Sequence, residues 1–330
     1  MKKLLEASLL LLITGIFLVL GSTNAYAASS SSANGYRVSP VRTDLTIKPG
    51  SSEVVSVLVQ NVSASVENLQ VITNDFQPPT DESGNPALLL NGATAPQHSL
   101  KQFVILPEQT FTLKPNQQQA VDVTIKIPAG TAGGGYYGAI RFAPAGLSGS
   151  KNVNLSASVA SLVLVTVPGN LVEKLSIKTF GVSQNQSLAP RHIFFSAKHL
   201  RALVSFKNTG NVQEQPFGKV VLKRGSSTLQ TQAVNASDSP GNVLPDSARR
   251  FTVTLNKVGW FGKYKAEGNF GYGSQGQLLS AEYTFYVIPL LIIILAVVVL
   301  LIILFLIFGL PRIIRSYNRR IIARAKRRQP

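Results

Sequence analysis

Ile47-Lys48-Pro49-Gly50, with Val55, Val57 and Val59 following at a fixed gap, is a pattern this chain writes three times. Leu113-Lys114-Pro115-Asn116 leads by the same gap to Val121, Val123 and Ile125, and Val243-Leu244-Pro245-Asp246 leads to Phe251, Val253 and Leu255. Proline presets φ for a turn, glycine, asparagine or aspartate completes it, and three alternating apolar residues line one face of the next strand. Each copy is a strand, turn, strand corner. Outward from these corners, from Tyr36 to the last apolar segment, the chain runs in short alternating stretches bounded by Gly, Pro, Asn and Asp, without helical periodicity of useful length. The body is therefore expected to be all-β. Such corners suit immunoglobulin-like sandwiches, in which two antiparallel sheets bury their inner faces.

Two copies in the first half and one in the second predict two tandem sandwiches, residues 36–168 and 169–285, divided near Pro168 to Leu171 after an apolar strand from Ala157 to Val167. In the second, strands are expected near Ala202 to Lys207, Phe217 to Lys223, Phe251 to Leu255, Tyr264 to Phe270 and Leu278 to Phe285, with a turn within Lys207 to Asn211. One stretch resists this pattern. Gln77 to Gln102 carries Pro78, Pro79, Pro86 and Pro96 and lacks alternation, so it reads either as a functional loop or as a disordered surface excursion.

The two ends speak of a membrane. Lys2 and Lys3, an apolar run from Leu9 to Leu20, and the A-x-A pair Ala25 and Ala27 read as a cleavable signal peptide over 1–27; an uncleaved anchor is the alternative. A Ser-rich flexible leader follows at 28–35. Val287 to Leu310 is free of charge and, as a helix, about 36 Å long, enough for a hydrocarbon core of about 30 Å. A transmembrane helix at 286–310 and a basic tail at 311–330 are expected. Eight of the +17 charges lie beyond Leu310, beginning with Arg312 and Arg315, with no acid among them, which sets that end inside the cell and the body outside. Tyr283, Phe285 and Tyr286 suit an aromatic belt at the outer membrane interface.

Since half the charge is topology, it is no argument for nucleic acid. The rest suits contact with anionic wall polymers or headgroups, or simply a solvated surface. Zero cysteines require a packed core instead of disulfides outside the cell. The three histidines, His98, His192 and His199, stand in no metal-ligand or triad spacing, and no G-x-S-x-G elbow occurs, so neither an enzyme nor a metal or cofactor is expected. Gly271, Gly273 and Gly276 match G-x-G-x-x-G, yet they separate two β runs, so they read as a hairpin turn. Gly133-Gly134-Gly135 followed by Tyr136, Tyr137 and Gly138 allows close approach of the backbone to a neighbour or ligand. Adjacent tyrosines on a strand face opposite ways, so one enters the core and the other could form a platform for a sugar; Arg141 is the nearest cation.

The residues Tyr36 to Pro40, Lys48 to Gly50, Val57 to Asn61, Leu113 to Pro115, Val121 to Pro128 and Gly133 to Ile140 resemble the first domain of the WxL-interacting proteins of Gram-positive bacterial surfaces. The order of signal, two β domains, helix and basic tail is similar too. That resemblance implies peptidoglycan binding by the first domain and binding of host or partner proteins by the second. The sequence thus predicts a membrane-anchored surface protein that binds cell-wall glycan, a surface protein partner, or both, with lipid contact through one helix and the basic tail, Arg312 and Arg315 at the membrane interface. The alternative is a structural or adhesive protein that contacts other proteins without binding the wall.

Overall fold

A computed structural model describes residues 35–89, 96–107, 110–145 and 158–315. The predicted signal peptide, nearly all of the leader and all but the first residues of the tail lie outside these. The first part holds β1 (Tyr36–Ser39), β2 (Arg42–Thr46), β3 (Ser52–Asn61), β4 (Glu67–Gln77), β5 (Ala87–Leu89), β6 (Val104–Ile105), β7 (Thr110–Leu113), β8 (Gln118–Lys126), β9 (Gly134–Pro144) and β10 (Val159–Val167). The second holds β11 (Leu175–Gln184), β12 (Ile193–Phe194), β13 (Leu200–Asn208), β14 (Phe217–Arg224), β15 (Ser227–Val234), β16 (Ala248–Thr254), β17 (Gly262–Tyr272) and β18 (Gln277–Val287). A sheet ordered β1-β3-β8-β6 faces one ordered β2-β10-β9-β4-β5, with β7 also on β4; a sheet ordered β11-β13-β16 faces one ordered β12-β18-β17-β14-β15. The chain is all-β with two tandem sandwiches, as the corners predict.

The corners form for the expected reason. Gly50, Asn116 and Asp246 all take positive φ, at 81°, 62° and 56°. In each copy the carbonyl two residues earlier accepts a hydrogen bond from the amide that follows: Ser51 to Lys48 at 3.0 Å, Gln117 to Lys114 at 3.0 Å and Ser247 to Leu244 at 3.2 Å. These are type II turns with proline at the second position. The first two carry the chain from one sheet to the other, so Val55, Val57 and Val59 of β3 and Val121, Val123 and Ile125 of β8 enter the same core. In the third copy Leu255 is buried but Phe251 and Val253 are only partly so, because β16 is an edge strand. Gly273 and Gly276, at φ 69° and 66°, sit in the β17–β18 hairpin, as read from the sequence.

β9 and β10 are buried on both faces. Ile140, Phe142, Val163, Val165 and Val167 point into the first core, while Tyr137, Ala139 and Leu164 join Phe76 in a separate cluster against which Leu244 of the second sandwich packs. The Gly133–Gly135 run lies at this junction: a side chain on Gly133 would stand 2.7 Å from the Gly169 backbone, and the Gly135 amide donates to the Asn211 carbonyl at 2.8 Å. Glycine there is dictated by close approach of two backbones.

β18 runs through Val287, still buried, and after Pro289 the helix α1 (Leu290–Arg315) begins. The helix thus starts after Val287, because that residue pairs with Gly262 in the sheet. Among the described residues α1 is the one helix long and apolar enough to cross a membrane.

Candidate functional site

A cleft of about 490 Å³ opens where the two sandwiches meet. One wall comes from the β1–β2 corner (Pro40 to Arg42), the end of β4 (Phe76, Pro78, Pro79) and Leu162 and Leu164 of β10; the other is the loop from Ser239 to Leu244 and the start of β16. The floor is apolar because β10 presents to this side the residues alternate to those it sends into the first core.

Two guanidinium groups face into this cleft. Arg42 pairs with Asp44 at 2.8 Å and donates to the Pro240 carbonyl at 2.7 Å, across the junction. Arg249 lies over the Phe251 ring at 5.4 Å and donates to the Asn242 carbonyl at 3.0 Å. No carboxylate of the described residues lies within 4.0 Å of it. Burial, and then the charge of Arg42, lower the Arg249 pKa from its usual value. The planar donor fork of a guanidinium beside an apolar wall has the geometry to pair with a carboxylate.

The cleft is held in shape by a lock. Glu82, in the stretch read as a functional loop or a surface excursion, adopts φ 60° and reaches the second sandwich. Its carboxylate accepts from Lys178 at 2.6 Å, Ser205 at 2.7 Å and Arg250 at 2.7 Å, and its carbonyl accepts from the Arg250 amide at 2.8 Å. Burial would raise its pKa, but the Lys178 and Ser205 hydrogen bonds and the Arg250 charge outweigh that and leave it below the ordinary carboxylate range. The end of the same stretch is also tied down: Leu100 is wholly buried, and the Ser99 hydroxyl donates to Asp75 at 2.7 Å. This stretch is therefore anchored at Glu82 and at Ser99 and Leu100, while most of its other described residues are exposed or half-buried; residues 90–95 lie outside the described residues.

The chain is similar to fimbrial chaperones. A class 5 fimbriae chaperone, CfaA, is 14% identical with a TM-score of 0.37, over 77% of this chain and 99% of that one. The E. coli chaperone DraB is 13% identical with a TM-score of 0.34, over 76% and 96%. PapD-like domain 7 of human CEP192 matches 41% of this chain and 86% of its own, at 13% identity and a TM-score of 0.28. The likeness is one of β-sandwich architecture and transfers no site residue. No family model matches the chain, and no curated protein does.

The sequence-predicted contact residues are dispersed by this arrangement. Tyr137 is 4% exposed and its hydroxyl donates to Gln213 across the junction at 2.9 Å, so it is a joint between sandwiches. Tyr136 faces the first core, edge-on to Phe103 at 5.5 Å, with its hydroxyl donating to the Ala132 carbonyl at 3.0 Å. Neither ring lies open as a sugar platform. Arg141 donates to Asn74 at 2.9 Å, beside the junction, and burial lowers its pKa. Tyr283 and Phe285 share an inward face of β18: Phe285 is 0% exposed, and Tyr283 packs on the core rim and stacks with His192 at 4.5 Å. Of the three expected belt aromatics, Tyr286 alone is exposed. Arg312 and Arg315 are exposed on the last turns of α1.

Arg42, Glu82, Gln213 and Arg249 are absent from the sequence-level candidates. The signal was slight: Arg42 directly follows a corner begun by Pro40, and Arg249 and Arg250 are adjacent cations just after the third corner. Glu214 was missed too. It is buried, and burial together with the Glu173 charge pushes its pKa up to about 7. A carboxyl that holds its proton more tightly folded than unfolded contributes its full stability below about pH 4.3 and loses it as pH climbs through the folded value. Chemical denaturation between pH 4.5 and 8 should therefore show stability falling with pH from this group, and Glu214→Gln should flatten that slope.

Proposed function

We propose that this protein is a non-enzymatic, membrane-anchored protein of the cell surface that holds an extended protein segment, bearing an anionic group, in the cleft between its sandwiches. One observation carries the reading: Arg249, with no acidic partner among the described residues, faces an apolar wall built from both sandwiches beside Arg42. Tyr136 and Tyr137, offered by the sequence as a sugar platform, are engaged elsewhere, and this cleft holds no open aromatic ring of theirs. The non-enzymatic part is supported by the cleft's lining, in which apolar side chains surround guanidinium groups engaged with Asp44 and with backbone carbonyls. The apolar α1 and the basic residues after it support a single pass with the sandwiches outside.

The test uses the full chain in lipid nanodiscs and a short fluorescent peptide of alternating Val and Leu, either with a free carboxylate or as its amide. The acid should bind about tenfold or more tightly than the amide, and Arg249→Ala should erase the difference, as loss of a charge-assisted hydrogen bond predicts. Equal binding of acid and amide sinks the cleft assignment. Sedimentation of the chain with wall sacculi, unchanged by Arg249→Ala, would move the ligand to cell-wall glycan and to another surface.

A further inference from the structure

We propose that the end of the second sandwich from which α1 departs is itself a lipid-binding surface, seated in the headgroup layer of an anionic bilayer by Trp260 and its exposed apolar neighbours. The inference rests on the reading of α1 as a spanning helix. Val287, the last residue of β18, pairs with Gly262, and Tyr286 pairs with Lys263 on one side and Ile193 on the other. The loop before β17 and the segment after β12 therefore lie level with the start of α1.

That loop carries Trp260, the chain's single tryptophan, 69% exposed, and the exposed Phe261 with its ring 6.0 Å away. Ile193, Phe195 and Tyr286 are exposed beside them. The loop is not slack. Gln230 Oε1 accepts from the amides of Asn256 and Lys257 at 2.8 and 3.0 Å, and the Tyr264 hydroxyl donates to the Phe261 carbonyl at 3.1 Å. Fixing five apolar side chains in water at one rim marks a contact surface. Indole and phenol rings favour the membrane interface, where one edge is apolar and the other wet.

Charge agrees with the geometry. Lys198, Arg201, Arg224, Lys257 and Lys263 lie on the strands and loops of this end. The nearest acids on β17 and β18, Glu267 and Glu282, are taken by Lys223 at 2.6 Å and Lys265 at 2.7 Å. An apolar rim ringed by uncompensated cations fits phosphate-rich headgroups over acyl chains.

The single tryptophan makes the test direct. The full chain is reconstituted in phosphatidylcholine–phosphatidylglycerol vesicles whose acyl chains carry bromine either near the headgroup end or near the terminal methyl. Trp260 emission should shift to the blue and lose most of its intensity with the shallow bromine, and much less with the deep one. As a control, W260F combined with L278W places the probe at the far end of β18, on a residue 84% exposed, where no quenching is expected. A red, unquenched Trp260 in chains that resist alkaline extraction overturns this proposal alone. Chains that alkali strips from the vesicles overturn the spanning helix and this seat together.

Discussion

Glu82→Ala should uncouple the two sandwiches. The carboxylate is shielded and receives three donors from the second sandwich, so its removal leaves Arg250 and Ser205 without their partner at a site poor in water. Breaking a buried pair from one side is costly because the remaining charge stays desolvated, and about 3 kcal/mol is expected here. Lys178 adds little, since its side chain is half in solvent. Alanine keeps the strain of a left-handed φ near 60°, which glycine relieves. Glu82→Gly removes that strain along with the lock and should behave like the alanine variant. Calorimetry of the full chain should show one coupled transition splitting into two, with new protease cleavage between Pro79 and Pro86. A single unshifted transition for both variants means the lock is ornamental. Acid should do the same to the parent: a carboxylate held below its ordinary pKa gives its full contribution above about pH 4.3 and loses it as pH falls through the folded value.

Phe285→Ala is expected to cost about 3–5 kcal/mol, and Tyr286→Ala, one residue later, about 1 kcal/mol or less. Phe285 is enclosed, stacked on Tyr264 at 5.5 Å and edge-on to Phe194 at 5.8 Å, so its loss leaves a cavity among rings that cannot collapse onto it. Tyr286 points outward on the same strand. Urea unfolding followed by circular dichroism measures the two differences. Equal effects would mean that Phe285 is not enclosed, and a larger effect at Tyr286 that the strand faces are assigned the wrong way round.

What the residues reveal by themselves is the part of the fold that local chemistry decides. Pro49-Gly50, Pro115-Asn116 and Pro245-Asp246 each require positive φ at the second residue, and the alternation after them fixes which side is inside. The expected strands near Phe217, Tyr264 and Leu278 were found, each extended by a few residues; β11 and β15 escaped notice because their stretches are mostly polar or half-buried. β10 held more than was read from it. Val-Ala-Ser-Leu-Val-Leu-Val-Thr-Val is apolar at nearly every position, and such runs occur where a strand is covered on both faces. The site was hidden for a different reason. Glu82 meets partners 96, 123 and 168 residues further on, and nothing in a proline-rich loop announces a carboxylate aimed that far away. Likewise, the aromatic cluster nearest the helix reads as a belt, whereas strand alternation sends two of its three rings inward.

The direct passage from β18 into α1 has a mechanical meaning. β18 is flanked by β12 and β17 and pairs with β17 along all eleven of its residues. Hydrogen bonds in an antiparallel ladder run perpendicular to the strands. Tension drawn between the cleft and α1 would pull β18 along its own axis, loading the whole ladder in shear at once instead of unzipping it bond by bond. On the proposed reading, a partner held in the cleft and pulled away from α1 would therefore strain the grip, or the Glu82 lock, before it tore the sandwich from the helix.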